Sequence, residues 1–180
     1  LEEVTKAFLD AGRIMGEETA PLIKAVTDSL IAFGEDTGGA TISLDRLMVA
    51  SQAVGVPMTT LADTVVKFGP QLATMGLNVD EATALVANME AAGLSASKMM
   101  PGLNTAVKKL ADEGVTDIQA GLKGMIDSIE NAETESEAMA IATDAFGAGA
   151  GLRFVDAINK GVFSLSDMVT AMEQGDGKVK

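Results

Sequence analysis

Residues 76–93 read GLNVDEATALVANMEAAG, and this stretch contains the signals that predict the fold. Asn78 is an N-cap candidate, and Glu81 lies three residues later, as in a capping box. Leu77 precedes the cap and has the spacing of a hydrophobic staple to Ala82. Apolar residues then recur at helical spacing and end at a glycine, in the order Ala82, Leu85, Val86, Met89, Gly93. The stretch therefore predicts one short amphipathic helix with its own start and stop signals.

The same signals recur on both sides of this helix. Ile42 precedes Ser43, and Phe163 precedes Ser164, so both serines are N-cap candidates with an apolar residue before them. Thr134 and Glu137 repeat the spacing of the capping box. Glycines expected to end helices in the left-handed conformation are Gly55, Gly76, Gly93, Gly114 and Gly161. The sequence thus predicts short helices that are joined by tight turns.

Two glycine-containing segments predict interruptions. Gly69 and Pro70 are expected to end the helix that begins near Met58, so that a short turn over residues 71–76 carries the chain to the next helix. The three glycines of residues 147–151 are expected to break the chain before apolar residues resume at Leu152.

Helical periodicity extends along almost the whole chain, and no stretch alternates with period two for long enough to predict a strand. We therefore expect an all-α fold, a compact bundle or irregular array of about eight to ten short helices without a sheet. The predicted organisation is an N-terminal helical pair at residues 1–35 and a helical core at residues 41–174. A polar tail at residues 175–180 is interpreted as the point where the chain is cut from a longer protein.

Composition removes several function classes. The formal net charge of −13 disfavours tight binding to nucleic acid, because an acidic surface repels phosphates. The chain has no Cys and no His, which removes thiol nucleophiles, histidine bases and the usual zinc ligands. It has no Trp or Tyr for stacking bases or sugars. No apolar run is long enough to predict a transmembrane segment.

Two segments invite a ligand-binding interpretation that their details do not support. Residues 147–151 read GAGAG, but the dinucleotide-binding motif G-x-G-x-x-G would need its third glycine at position 152, which is Leu. The segment also follows a predicted helix, whereas the motif follows a strand. A close-packed helix junction is the favoured interpretation. The densest acidic run matches no calcium-binding loop and is interpreted as a solvated turn before a helix; it consists of Glu130, Glu133, Glu135 and Glu137.

No catalytic, cofactor-binding or metal-binding residue is predicted. Ser95 and Lys98 have the S-x-x-K spacing, but the partner motifs S-D-N and K-T-G are absent. The adjacent carboxylates of Asp80 and Glu81 should point to different faces of a helix and so should not form an acid–base pair. Met99 and Met100 beside a proline are either core filler or an exposed contact.

The region from about residue 44 to residue 161 resembles the core of phage tail tape-measure proteins, which are also found in prophages. Three stretches in the same order carry the resemblance. They are residues 50–56 (ASQAVGV) with 61–63 (LAD); residues 68–72 (FGPQL) with 75–77 (MGL), 80–82 (DEA) and 91–93 (AAG); and residues 146–151 (FGAGAG) with 156–158 (DAI) and Gly161. The second stretch is the most specific of the three.

The resemblance implies a structural protein of the virion that is not an enzyme and binds no cofactor. Tape-measure proteins lie in the lumen of the growing tail tube, help to set its length and leave at DNA ejection. The implied partners are the tail-tube protein, tail assembly chaperones and other tape-measure copies, and synthesis would take place in the bacterial cytoplasm. An acidic protein that shares a conduit with DNA fits this role, because it should not bind the DNA tightly.

Two other hypotheses stay open at the level of sequence. One is a helical protein–protein interaction module unrelated to tails, which would offer an apolar groove to a partner helix. The other is an enzyme, which would need a polar pocket with convergent titratable groups; here only carboxylates, Lys and Arg are available for it.

Overall fold

A computed structural model describes residues 2–159. The helices in that range are α1 Glu2–Met15, α2 Thr19–Ala32, α3 Ala40–Val54, α4 Met58–Thr74, α5 Val79–Ala91, α6 Ala96–Asp112, α7 Ile118–Glu130, α8 Glu135–Phe146 and α9 Ala148–Asn159. A 3₁₀ turn at Thr37–Gly39 precedes α3. The predicted all-α array of short helices without a sheet is confirmed for these residues. The start predicted at Ser164 and the stop predicted at Gly161 lie outside them.

Helix α5 begins as its sequence predicts. The Asn78 side chain accepts hydrogen bonds from the backbone N–H groups of Asp80 (3.0 Å) and Glu81 (2.9 Å). The Glu81 carboxylate accepts one in return from the Asn78 N–H at 2.8 Å, which completes the capping box. At α8, Thr134 caps Glu137 in the same way, but the Glu137 carboxylate accepts from the N–H of Glu133 instead of that of the cap residue.

Replacing Asn78 by Ala should lower the free energy of unfolding by about 1 kcal/mol, because two N–H groups at the start of α5 lose their acceptor. Ser95 offers a matched control, since it is the N-cap of α6 but its side chain makes no capping hydrogen bond. Ser95→Ala should leave stability unchanged within about 0.5 kcal/mol. Urea unfolding followed by circular dichroism measures both changes. Equal losses in the two variants would contradict the capping role of Asn78.

The predicted glycine stops at Gly55, Gly76, Gly93 and Gly114 all have positive φ, between 70° and 82°. At Gly93, the glycine N–H donates to Glu90 O (3.0 Å) and the Leu94 N–H donates to Met89 O (2.8 Å). These two bonds form the Schellman arrangement. In the turns at Gly76, Gly93 and Gly114 the next residue is apolar and at least partly buried against the core; these residues are Leu77, Leu94 and Val115. The residue after the glycine thus has two roles: its N–H bonds to the end of the helix, and its side chain anchors the turn against the core.

Two similar turns carry a glutamate where the others carry an apolar residue. Glu17 follows Gly16 at the end of α1, and its carboxylate accepts hydrogen bonds from the N–H groups of Met58 (2.7 Å) and Thr59 (3.0 Å) and from Thr59 Oγ1 (2.7 Å). Glu35 follows Gly34 after α2 and accepts from the Val79 N–H at 2.9 Å. Each of these carboxylates therefore caps a helix more than 40 residues further along the chain.

The interruption predicted at Gly69 and Pro70 is wrong, because α4 continues through both residues to Thr74. Proline inside a helix costs about 3 kcal/mol. Continuing the helix buries Leu72 and Met75 almost completely, and burying each such side chain contributes about 1.5–3 kcal/mol. Burial therefore offsets the cost of the proline. Gly69 is needed for close approach, since a Cβ at this position would lie 3.0 Å from Cβ of Ala32 on α2.

Two other boundaries also differ from prediction. Ser43 is not an N-cap, because α3 already begins at Ala40 after the 3₁₀ turn. Asp36 accepts a hydrogen bond from the Gly38 N–H at 2.9 Å, and so caps that turn instead. In the segment of residues 147–151, only Gly147 breaks the chain, with φ 80°, while Gly149 and Gly151 lie inside α9.

The helices pack in two groups. In the first group, α2 packs on α4, α3 on α5 and α4 on α5, and α1 contacts α2 and α3. In the second group, α8 and α9 form a close pair, and α6 and α7 pack against α8. One cluster of buried side chains runs from Phe8 to Val155 through both groups.

The domain boundary predicted between residues 35 and 41 stays a prediction. Across it, α2 packs along α4, and the carboxylates of Glu17 and Glu35 bond to the starts of α4 and α5.

Candidate functional site

The glycine-rich segment of residues 147–151 lies at a close-packed junction of α6, α8 and α9. A Cβ on Gly151 would lie 2.4 Å from the carbonyl oxygen of Ala142, and a Cβ on Gly102 would lie 2.2 Å from Cβ of Ala150. Beside this contact the rings of Phe146 and Phe154 pack with centroids 5.3 Å apart. Because Gly102, Ala150 and Gly151 are occupied by helix–helix contact, this segment is not a phosphate-binding loop.

The acidic run surrounds the turn between α7 and α8. Its four carboxylates are all exposed. Glu137 accepts from the Glu133 N–H (3.0 Å), and Glu135 accepts from Asn159 Nδ2 (3.1 Å). Within residues 2–159, no three acidic side chains are placed so that they could hold a metal ion. The run thus marks the start of α8 and its contact with the end of α9.

Ser95 and Lys98 open α6 without forming a nucleophile–base pair. The Ser95 backbone carbonyl accepts a hydrogen bond from the Lys98 N–H at 2.9 Å, as expected for the first turn of a helix. The Lys98 side chain is exposed to water. A catalytic lysine needs a partly desolvated position against its serine, and the S-x-x-K spacing here does not provide one.

The adjacent carboxylates point in different directions, as their spacing predicts. Asp80 forms an ion pair with Arg46 of α3 and accepts from Ser43 Oγ at 3.5 Å. Glu81 turns back to the N-cap of its own helix. Each carboxylate therefore connects or caps helices, and the two do not converge on a common point.

Met99 and Met100 are core residues. Both have 0 % of their surface exposed, so the alternative of an exposed methionine contact is wrong. Pro101, which follows them, lies inside α6.

One surface cleft in the described part of the chain combines polar and apolar groups. It has a volume of about 420 Å³ and is open to solvent. Its walls are the end of α4, with Met75 and Gly76, and the start of α7, with Asp117 and Gln119. Gln119 Nε2 donates to Gly76 O at 3.3 Å across it, and Asp117 accepts from the Ala120 N–H at 2.9 Å as the cap of α7. Asp117 is the only titratable side chain among the lining residues, so the cleft lacks the convergent groups of an active site.

Exposed aliphatic side chains are concentrated on the first three helices. Among the side chains whose exposure is described, nine large hydrophobic residues are exposed, and seven of them lie on α1, α2 and α3: Val4, Leu9, Ile14, Ile23, Ile31, Ile42 and Val49. Ile14, Ile31 and Val49 expose more than 60 % of their surface. The sequence pattern does not predict this asymmetry, because α1 to α3 have the same helical periodicity as the rest of the chain.

The capping glutamates Glu17 and Glu35 were also missed. A local signal in the sequence could have indicated them. Each glutamate directly follows a glycine that ends a helix, and in later turns this position holds an apolar residue, such as Leu77 or Leu94.

No helix in the described range combines the length and the apolar character that spanning a membrane requires. No protein-family model, no curated protein and no solved structure matches this chain.

Proposed function

We propose that the chain is a segment of a phage tail tape-measure protein, with a structural role and no enzymatic activity. The observation that carries the proposal is the ordered series of three motif stretches between residues 50 and 161, of which residues 68–93 are the most specific. The all-α fold of the described residues is compatible with it. In this role the chain helps to set tail length and occupies the tail-tube lumen of a phage or prophage particle until the DNA leaves.

The placement of the charged groups supports a structural role. The carboxylates of Glu17, Glu35 and Glu90 are acceptors for the N–H groups at the starts of α4, α5 and α6. In the acidic run, the Glu137 carboxylate accepts from the Glu133 N–H just before α8. These side chains stabilise helix ends and helix–helix contacts, and the net charge of −13 keeps the surface repulsive to DNA in the same conduit. The proposed partners are the tail-tube protein, tail assembly chaperones and other tape-measure copies.

Size constrains how the segment acts. A folded domain of 180 residues has a radius of gyration of about 16 Å. That is bulky for the lumen of a narrow tube. The segment therefore acts as a folded domain near one end of the tape measure, or it opens during assembly or ejection.

Deletion and duplication of residues 41–174 in the parent gene test the proposal. If the segment is part of an extended ruler, duplication should lengthen the tail by up to about 200 Å, at 1.5 Å per helical residue, and deletion should shorten it. A folded terminal domain predicts a failure of tail assembly on deletion, with no lengthening on duplication. Electron microscopy of particles gives the length distribution, and expression of the intact gene in trans is the control. Normal tails of unchanged length in both strains would refute the proposal.

The gene neighbourhood provides an independent check. A parent gene several times longer than this segment, beside genes for tail-tube and baseplate proteins, is the expected result. A short parent gene among metabolic or regulatory genes would contradict the tail assignment.

A second candidate function is a helical protein–protein interaction module unrelated to tails. The observation that favours it is the set of exposed aliphatic side chains on α1 to α3. Under this alternative, Ile31→Ser and Val49→Ser would abolish binding to a specific cellular partner, while tail assembly in the deletion strain would be normal.

A further inference from the structure

The two packing groups meet along one narrow contact. We define the N-unit as α1 to α5, residues 2–91, and the C-unit as α6 to α9, residues 96–159. Within each unit every helix packs on at least two others. Between the units, the main contacts are those of α4 and α5 with α6, and they are small compared with the contacts inside either unit.

A single short turn connects the units. Gly93 has φ 72°, and Leu94 beside it is buried. Glu90, near the end of α5, accepts a hydrogen bond from the Ala96 N–H at the start of α6, at 3.0 Å. The turn thus holds the two helix ends together through local bonds that do not depend on the rest of the interface between the units.

The open cleft lies along the same boundary. One wall belongs to the end of α4 in the N-unit, and the other belongs to the start of α7 in the C-unit. The hydrogen bond across it, from Gln119 Nε2 to Gly76 O, is 3.3 Å long and exposed to water. Such a bond contributes little net stability, because water replaces it when it breaks.

We propose that the fold is a two-part device in which the C-unit swings away from the N-unit about the turn at residues 92–95, widening the cleft before either unit unfolds. Each unit keeps its own core during this step. Phe8, Leu30 and Leu85 are buried in the N-unit, and Leu122, Ile126 and Phe146 are buried in the C-unit. Separation breaks the contact of α6 with α4 and α5, the hydrogen bond across the cleft and the part of the buried cluster that joins the units. These contacts are fewer than those inside either unit, so separation requires less free energy than unfolding of either unit. The step is independent of the tail assignment and leaves two smaller bodies joined by one turn.

Energy transfer between paired dyes tests the proposal directly. The chain has no cysteine, so two introduced cysteines take both labels. Thr60→Cys on α4 with Ser128→Cys on α7 reports the distance between the units, and both sites are exposed. Thr60→Cys with Asp45→Cys on α3 is the matched control inside the N-unit. The measurement is made at moderate urea concentrations, where the far-ultraviolet circular dichroism is still native. The distance between the labels at positions 60 and 128 should increase, while the distance between the labels at positions 60 and 45 should stay constant. If both pairs change together with the loss of helicity, the proposal is wrong.

Paired core variants provide a second measurement by hydrogen exchange of the full-length chain. Leu61→Ala in α4 should speed exchange of protected N-unit amides at least roughly thirtyfold, and Ile126→Ala in α7 should do the same for C-unit amides. Because each unit opens separately, exchange in the other unit should change by less than about threefold. Equal acceleration in both units for both variants would show a single cooperative body and would overturn the proposal. The tail assignment could still be correct in that case, since tail length tests it separately.

Discussion

Gly151→Ala should destabilise the protein by about 2 kcal/mol, although alanine favours helix over glycine. The new Cβ would lie 2.4 Å from the carbonyl oxygen of Ala142 and 2.6 Å from its carbonyl carbon. Both atoms belong to the backbone of α8 and cannot rotate away, so α9 would have to move as a body. Overpacking costs about 1–3 kcal/mol, and a contact this short with backbone atoms belongs at the upper end of that range. The gain of about 1 kcal/mol in helix propensity leaves a net loss of about 2 kcal/mol.

Gly149→Ala is the matched control, two residues away on the same helix. A Cβ on Gly149 would meet no atom within 4 Å, so only the propensity gain remains. This variant should be more stable than the parent by about 0.5–1 kcal/mol. Urea unfolding followed by circular dichroism at 222 nm gives both values. A Gly151→Ala protein that is as stable as the parent would mean that α8 and α9 are not in close contact at this point.

Glu17→Ala should lower the free energy of unfolding by about 2–3 kcal/mol. The carboxylate is the acceptor for two N–H groups at the start of α4 and for the Thr59 hydroxyl. Hydrogen bonds to a charged acceptor contribute more than neutral ones, and a lost helix cap costs about 1 kcal/mol even when it is local. Removal also releases α4 from the turn after α1, so amide exchange at Met58 and Thr59 should accelerate.

Glu18→Ala controls for the loss of one negative charge in the same turn. Glu18 is exposed, and its side chain makes no capping hydrogen bond although it stands at the N-cap of α2. The free energy of unfolding of the Glu18→Ala variant should differ from that of the parent by less than about 0.5 kcal/mol. If the two variants lost the same stability, the effect would be electrostatic in origin and the capping role of Glu17 would be rejected.

Signals within a few residues predicted much of the fold. Asn78 and Glu81 form the capping box expected from their spacing, and Gly55, Gly93 and Gly114 end helices with positive φ. These features depend on hydrogen bonds and backbone dihedral angles within one turn of helix, so the sequence nearby determines them. The periodic apolar pattern predicted the helices themselves and the absence of strands for the same reason.

Predictions failed where a distant contact outweighed a local signal. Pro70 should end a helix, yet α4 continues past it because Leu72 and Met75 become buried. Gly151 was expected in a chain break, yet it lies inside α9, and glycine is needed there because α8 leaves no room for a larger side chain. The candidate cleft was not predictable either, since Gly76 and Gln119 are 43 residues apart and meet only after the chain has packed.

The sequence by itself determined the helix type, most helix ends and the residue classes from which a site could be built. The charge of −13 and the absence of Cys and His set those classes before any folding takes place. Only the tertiary structure decided which carboxylate caps which helix, where glycine is needed for contact, and how the helices pack in two groups. The physical reason is range: capping and periodicity act within a few residues, whereas Glu17 meets Met58 only after the chain has packed.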